Sequence, residues 1–275
     1  MSTDSAPASL SALERVVDGL GTVAVGFSGG ADSGLLAYVA RQRLGRSRAL
    51  AVTAVSPSLA PEELEDCRSL AAEWDLDWRP VETRELEREA YRANGRDRCY
   101  HCKSELMEAL EALSAAAGGG GSCGGQVPTV ILGVNTDDLS DHRPGQAAAL
   151  ERGARFPFVE AGLSKADVRA ASSLLGLRTA SKPASACLAS RVPYGTAVTL
   201  QVLGRVARAE SGLRSLGFRA LRVRHYGDVA RIEVPLSELG SVLSLRAEVV
   251  SAVRGAGYRY VTLDLEGLRS GNLSS

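Results

Sequence analysis

VAVGFSGGADSGLLAYVA, residues 23–40, decides how this chain is read. An apolar run stops at Ser28-Gly29-Gly30-Ala31-Asp32-Ser33, and a helical apolar pattern starts straight after it. A glycine-rich turn between a buried strand and a helix is an anion site. Glycines let the backbone approach a ligand closely, and the unpaired N–H groups at the helix start point at it. Ser28 and Ser33 add hydroxyl donors. Asp32 would repel a bare phosphate, so it is expected to meet a metal ion carried by that phosphate. No Gly-Lys-Ser/Thr follows, so this is not a Walker A loop, and the spacing is not GxGxxG. A turn with a helix cap is the bland alternative, and SGGxDS is an unusual way to write one.

Outward from the loop, strands alternate with helices. Residues 22–27, 48–56, 77–82 and 129–135 read as strands, the apolar ones of the type buried on both faces. Residues 9–20, 33–45, 61–74 and 97–116 read as helices, the third with Pro61 at its first position and acids in its first turn. This order predicts an α/β domain with a parallel sheet covered on both faces. The stretch AAAGGGGSCGGQ, 115–126, reads as a flexible surface loop, and Cys123 within it has no expected role. The texture changes around 193–197. A helix (200–216), strands (220–225 and 229–234), a helix (236–256) and a strand (258–264) follow, which predicts a small α+β domain. The expected division is 1–192 and 193–275.

The totals exclude some classes. The chain has 275 residues, 45% hydrophobic and 23% charged, a normal globular balance for one large or two modest domains. Lys+Arg and Asp+Glu are 32 each, so bulk charge gives no support to nucleic-acid binding. There is no apolar run of membrane-spanning length and no secretory leader pattern, so a cytoplasmic protein without a membrane partner is expected. Five cysteines without a leader argue against a disulfide framework. Lysine is scarce: Lys103, Lys165 and Lys182 are the three, and they mark either positions where a compact ammonium matters or chance survivors of an arginine-rich composition.

Two further constellations carry chemistry. GVNTDDLSDHRPG, 133–145, follows a strand and so lies at the carboxyl edge of the sheet, where open α/β folds bind ligands. Its acids Asp137, Asp138 and Asp141 beside Arg143 can hold magnesium or orient a nucleotide. RDRCYHCKSEL, 96–106, and KPASACLASRVPYG, 182–195, supply Cys99, Cys102 and Cys187. A lone CxxC fits half a zinc site, a redox pair or one side of an iron–sulfur cluster. Three cysteines in a 2+1 arrangement suit a cubane cluster with one iron left open, or a zinc site completed by a histidine. Cys187 with Arg191 nearby can instead be a reactive thiol. Arg222 and Arg224 alternate on one strand face as RVR, fit to clamp a phosphate or carboxylate bidentately.

SGGxDS resembles the PP-loop of ATP pyrophosphatases, which implies ATP use with an adenine nucleotide alpha hydrolase-like fold. Ser28, Gly29, Gly30, Asp32 and Ser33 match that motif. RCYHCK, GVNTDDLSDHRPG, GLSKADVR, KPASACLASRVPYG, RVRHYGDVARIEV and YVTLDLEGLRSG together resemble the LarE family, the sulfur-inserting enzymes of nickel-pincer nucleotide biosynthesis. The resemblance runs from about residue 15 to 272. It implies ATP and Mg2+ as cofactors. It also implies adenylation of a carboxylate of pyridinium-3,5-biscarboxylic acid mononucleotide, and sulfur delivery to give a thiocarboxylate. It implies a [4Fe-4S] cluster on Cys99, Cys102 and Cys187, or a sacrificial Cys187 that becomes dehydroalanine. Asp137, Asp138 and Arg143 then belong to the nucleotide site, and Arg191, Glu210, Arg222 and Arg224 to the substrate site. A homo-oligomer, with a hexamer as one form, is implied as well. A tRNA thiolase of the same superfamily is the rival, and the neutral charge balance counts against it.

Overall fold

The computed structural model describes residues 5–118, 128–140, 144–183 and 186–269. The chain forms two compact units. The first comprises Met1–Ser56, Pro61–Glu85 and Cys99–Ser185; the second comprises Pro57–Ala60, Leu86–Arg98 and Ala186–Ser275.

A parallel sheet carries the first unit. Its strands are β1 (Val23–Gly26), β2 (Ala49–Val55), β3 (Asp77–Glu82) and β4 (Thr129–Ile131), in the order β3-β2-β1-β4. The main helices are α1 (Ser5–Asp18), α2 (Ala31–Leu44), α3 (Pro61–Glu73), α4 (Arg98–Gly118) and α5 (Lys165–Leu174). Because helices cover both faces, β1 and β2 are apolar at successive positions rather than alternating. Val23, Val25 and Ala51 pack in one core with Leu13, Leu35, Leu70 and Val168. Ala24, Leu50 and Val52 point the other way, into a core with Met107 and Leu110 of α4. Gly45 ends α2 with φ +80, a conformation that glycine adopts without the steric cost of a side chain.

Two elements differ from their expected extents. The strand expected over 129–135 stops at Ile131. Val134 N–H turns back to Leu132 O at 2.9 Å, and Gly133 presses on the start of α2. A Cβ at Gly133 would come within 3.0 Å of the Asp32 and Ser33 backbone. The helix expected over 236–256 is interrupted: Leu239–Ser244 and α7 (Arg246–Gly255) are separated at Leu245, whose ψ of 26° leaves the helical range.

In the second unit, β5 (Arg222–Tyr226) pairs antiparallel with β6 (Val229–Glu233), which pairs parallel with β7 (Tyr260–Leu263). The helices α6 (Leu200–Ser215) and α7 cover one face through Ala209, Leu213, Val249 and Val253. The αββαβ order is the expected one. The unit takes in Ala186 onward because short segments bind it: Leu188 N–H donates to Ser58 O at 2.8 Å, and Asn94 Nδ2 donates to Pro193 O at 2.8 Å. Among the described residues no helix is long and apolar enough to cross a membrane.

Candidate active site

The sheet order places β2 and β4 on opposite sides of β1. The switch point of the sheet therefore lies between β1 and β4, and the loops that follow these two strands flank it. They are the SGGADS turn and the segment that opens GVNTDD.

Gly29 sits at φ +68, and a Cβ there would lie 2.9 Å from Cys67 Sγ, so the position needs glycine on both counts. Gly30 is the N-cap of α2 and brings no side chain into the mouth of the helix. Ser28 N–H donates to Ser33 Oγ at 3.1 Å, and the two hydroxyls are 3.1 Å apart. Behind the loop, Thr53 Oγ1 donates to Phe27 O at 2.6 Å. Lys182 Nζ donates to Gly29 O at 3.1 Å, to Glu63 at 2.8 Å and to Asp66 at 2.6 Å. Backbone donors, two hydroxyls and the positive end of a helix dipole together form a seat for a polyphosphate.

Asn135, 2% exposed, joins the second loop to the first. Its Nδ2 donates to Asp32 Oδ1 at 3.2 Å, and its Oδ1 accepts from the N–H groups of Asp137 (3.1 Å) and Asp138 (3.3 Å). Its own N–H donates to Asp138 Oδ2 at 3.2 Å. Lys165 Nζ is ion-paired with Asp32 Oδ2, and Lys165 N–H donates to Asp137 Oδ2 at 3.0 Å. The structure thus gathers Ser28, Gly29, Gly30, Asp32, Ser33, Asp137 and Asp138 at one edge of the sheet. The carboxylates are hard oxygen donors of the kind Mg2+ takes. Arg143, Asp141 and Cys123 lie outside the described residues.

The expected sulfur residues fall in both units. Cys99 is exposed and Cys102 half-buried, one turn apart at the start of α4, and neither is in a disulfide. Lys103 follows them. Burial pushes its ammonium below the ordinary lysine value, against the upward pull of Cys102 and Cys99. Cys67 is buried instead, and desolvation pushes its thiol up to about 11, which keeps it inert at neutral pH. In the second unit Cys187 is exposed at the head of a short turn, Leu188–Arg191. Leu188 and Ala189 are buried, so the thiol faces out from an anchored backbone. Among the described residues no set of three or more His, Cys, Asp or Glu side chains is gathered as a metal site.

Three of the four expected substrate residues, Arg191, Glu210 and Arg224, form one network behind that turn, while Arg222 Nη1 donates to Arg269 O at 3.0 Å. Glu210 is fully buried rather than a surface acid of α6. It accepts from Arg191 Nε at 2.8 Å, Arg214 Nη2 at 2.9 Å and Val223 N–H at 3.0 Å. Arg191 Nη1 also donates to Ala186 O at 2.7 Å. Arg224 Nε donates to Glu233 Oε1 at 3.0 Å and its Nη1 to Ser190 O at 2.7 Å. Arg222 is the less enclosed guanidinium. Burial, then Arg191 and Arg224, lower its pKa, against the upward pull of Glu233 and Glu210. Sequence reasoning did not place Lys165, Lys182, Asn135 or Glu233. The scarcity of lysine was the available signal, since Lys165 and Lys182 both stand on the SGGADS loop.

Over 252 residues the chain is 38% identical to the pyridinium-3,5-bisthiocarboxylic acid mononucleotide synthase of Lactiplantibacillus plantarum, covering 92% of this chain and 88% of that protein. The chain belongs to this synthase family. It is the LarE family that the motifs resemble. An uncharacterized protein of Synechocystis sp. is 46% identical over 91% of each chain. An uncharacterized protein of Methanocaldococcus jannaschii is 24% identical over 90% of this chain and 91% of its own length. Residues 11–106 also match the NAD synthase family, and this stretch holds β1, the SGGADS loop and α2. The match stops short of the GVNTDD loop, so what the chain has in common with that family is the stretch around the SGGADS loop.

Proposed function

We propose that the chain uses ATP to convert a carboxylate of pyridinium-3,5-biscarboxylic acid mononucleotide into a thiocarboxylate. The observation that carries the reading is the meeting of the SGGADS loop with Asp137 and Asp138 at the switch point of a parallel sheet, in a chain 38% identical to a synthase of that product class. The substrate carboxylate attacks the α-phosphorus of ATP, and pyrophosphate leaves onto the loop. A sulfur nucleophile then attacks the acyl carbon, and AMP leaves. A carboxylate is a poor electrophile, so the adenylate supplies the leaving group, and cations offset the charge that develops at the acyl centre.

Ser28, Ser33 and the N–H groups of the glycine turn hold the pyrophosphate. Asp32, Asp137 and Asp138 would hold Mg2+, which shields phosphate charge when bound. Arg222 meets a substrate anion, while Arg191, Arg224 and Glu210 fix the backbone that carries Cys187. Cys99 and Cys102 of the first unit and Cys187 of the second are outside any disulfide and are the residue type that would hold a [4Fe-4S] cluster, which would supply a labile sulfide when bound. The exposure of Cys187 supports a second reading, in which it gives up its own sulfur: Cβ–Sγ breaks, the α-proton leaves and dehydroalanine remains. The reaction belongs in the cytoplasm, in a homo-oligomer.

The test is anaerobic purification with iron and sulfide analysis, followed by turnover with ATP and the mononucleotide. Pyrophosphate and thiocarboxylate are expected, with about four irons per chain that Cys99→Ala loses. An iron-free protein whose mass falls by about 34 Da, one H2S, establishes the sacrificial cysteine instead. No pyrophosphate release at all defeats the adenylation reading.

A further inference from the structure

We propose that Lys182 is a positioning residue of the pyrophosphate loop: it pins the Gly29 carbonyl behind the loop, so that the Gly30 N–H faces the anion. The inference rests on the ATP reading above and names a residue that the SGGADS motif does not contain.

In a trans peptide the C=O and N–H point in opposite directions. Whatever holds the Gly29 oxygen therefore aims the Gly30 N–H, which lies at the N-cap of α2. Gly29 has no side chain and sits at φ +68, so steric hindrance alone restrains this peptide little. A flipped peptide would turn a carbonyl oxygen toward the phosphate and repel it. Lys182 Nζ prevents this by donating to Gly29 O at 3.1 Å.

The lysine is itself fixed. Its side chain is 19% exposed, and its other two hydrogen bonds go to Glu63 and Asp66, one turn apart on α3. Arg178 Nη1 holds Asp66 from the far side at 2.6 Å, and its Nε reaches Glu73 at 2.8 Å. Against burial, which lowers the lysine pKa, Asp66 and Glu63 raise it above the ordinary value, so the ammonium stays charged. The Gly29 carbonyl is thus tied through Lys182 to α3, the helix whose Cys67 also lies against Gly29.

A different role is electrostatic: Lys182 could merely screen Glu63 and Asp66 from the phosphate. The two roles separate in the triple variant Lys182→Met/Glu63→Gln/Asp66→Asn, which leaves neither acid bare and so folds more readily than Lys182→Met alone. The experiment titrates magnesium pyrophosphate and, separately, AMP into wild type, Lys182→Met and the triple variant. Pinning predicts a Kd for pyrophosphate raised about tenfold in both variants, with the Kd for AMP held within about twofold and the triple variant still folded, with a cooperative melt. Wild-type pyrophosphate affinity in the triple variant overturns pinning in favour of screening. A Kd for AMP that rises in step with that for pyrophosphate overturns it as general loss of structure. A wild type that binds no pyrophosphate removes the ATP reading, and the inference with it, so the two failures are told apart by the wild-type titration.

Discussion

Asp32 stands where its charge is awkward, in the loop proposed to hold pyrophosphate. The structure shows how it is kept: Lys165 neutralises one oxygen and Asn135 donates to the other. Asp32→Asn retains an acceptor for Asn135 but removes the charge. Pyrophosphate release is expected to fall about 10²-fold or more, with the melting temperature held near wild type. Rates near wild type in a steady-state pyrophosphate assay would rule out a role for this carboxylate in holding the metal–nucleotide complex.

The helix α6 shows what an element does for a site it does not line. Thr199 caps it, its Oγ1 accepting from Val202 N–H at 3.2 Å, and Ala209 and Leu213 fix its face against the sheet. That packing buries Glu210, whose carboxylate joins α6 to the Cys187 turn through Arg191 and to β5 through Val223 N–H. Removing one member of a buried charge network leaves the others uncompensated, at a cost of about 3–5 kcal/mol. Glu210→Gln is therefore expected to lower unfolding stability by that order in urea titration. A loss under about 1 kcal/mol would show that the network is not a stabilising tie. From sequence, Glu210 was an acid on a helix, and its position in LarE-like chains was the reason to notice it. Burial of that acid depends on the angle at which α6 meets β5, a tertiary quantity that periodicity along the chain does not carry.

At the scale of the whole molecule, what was legible followed from local rules. Buried parallel strands write themselves as apolar runs, and glycine with hydroxyls marks the loop. The lysine contacts were hidden, because Lys182 reaches Gly29 across 153 positions of chain. The same tertiary packing sets how the molecule responds to acid. His225 is 4% exposed, with Nδ1 3.1 Å from Tyr258 Oη. Burial, then Arg205, lower its pKa below the ordinary 6.5, against a small upward pull from Asp228. Asp66 is also lowered: burial works against it, but hydrogen bonds from Lys182 and Arg178 prevail. Both shifts mean that the folded chain binds fewer protons than the unfolded one, so stability falls as pH falls. The windows differ. The histidine contribution is intact above about pH 6.5 and is lost below it, whereas the carboxylate contribution is lost only below about pH 4. Urea midpoints measured from pH 8 to pH 5 should therefore decline below about pH 6.5 in wild type and stay nearly level in His225→Gln, whatever the absolute stability of the variant. The slope is what decides: an equal decline in both proteins would mean that His225 is not the group that protonates on unfolding.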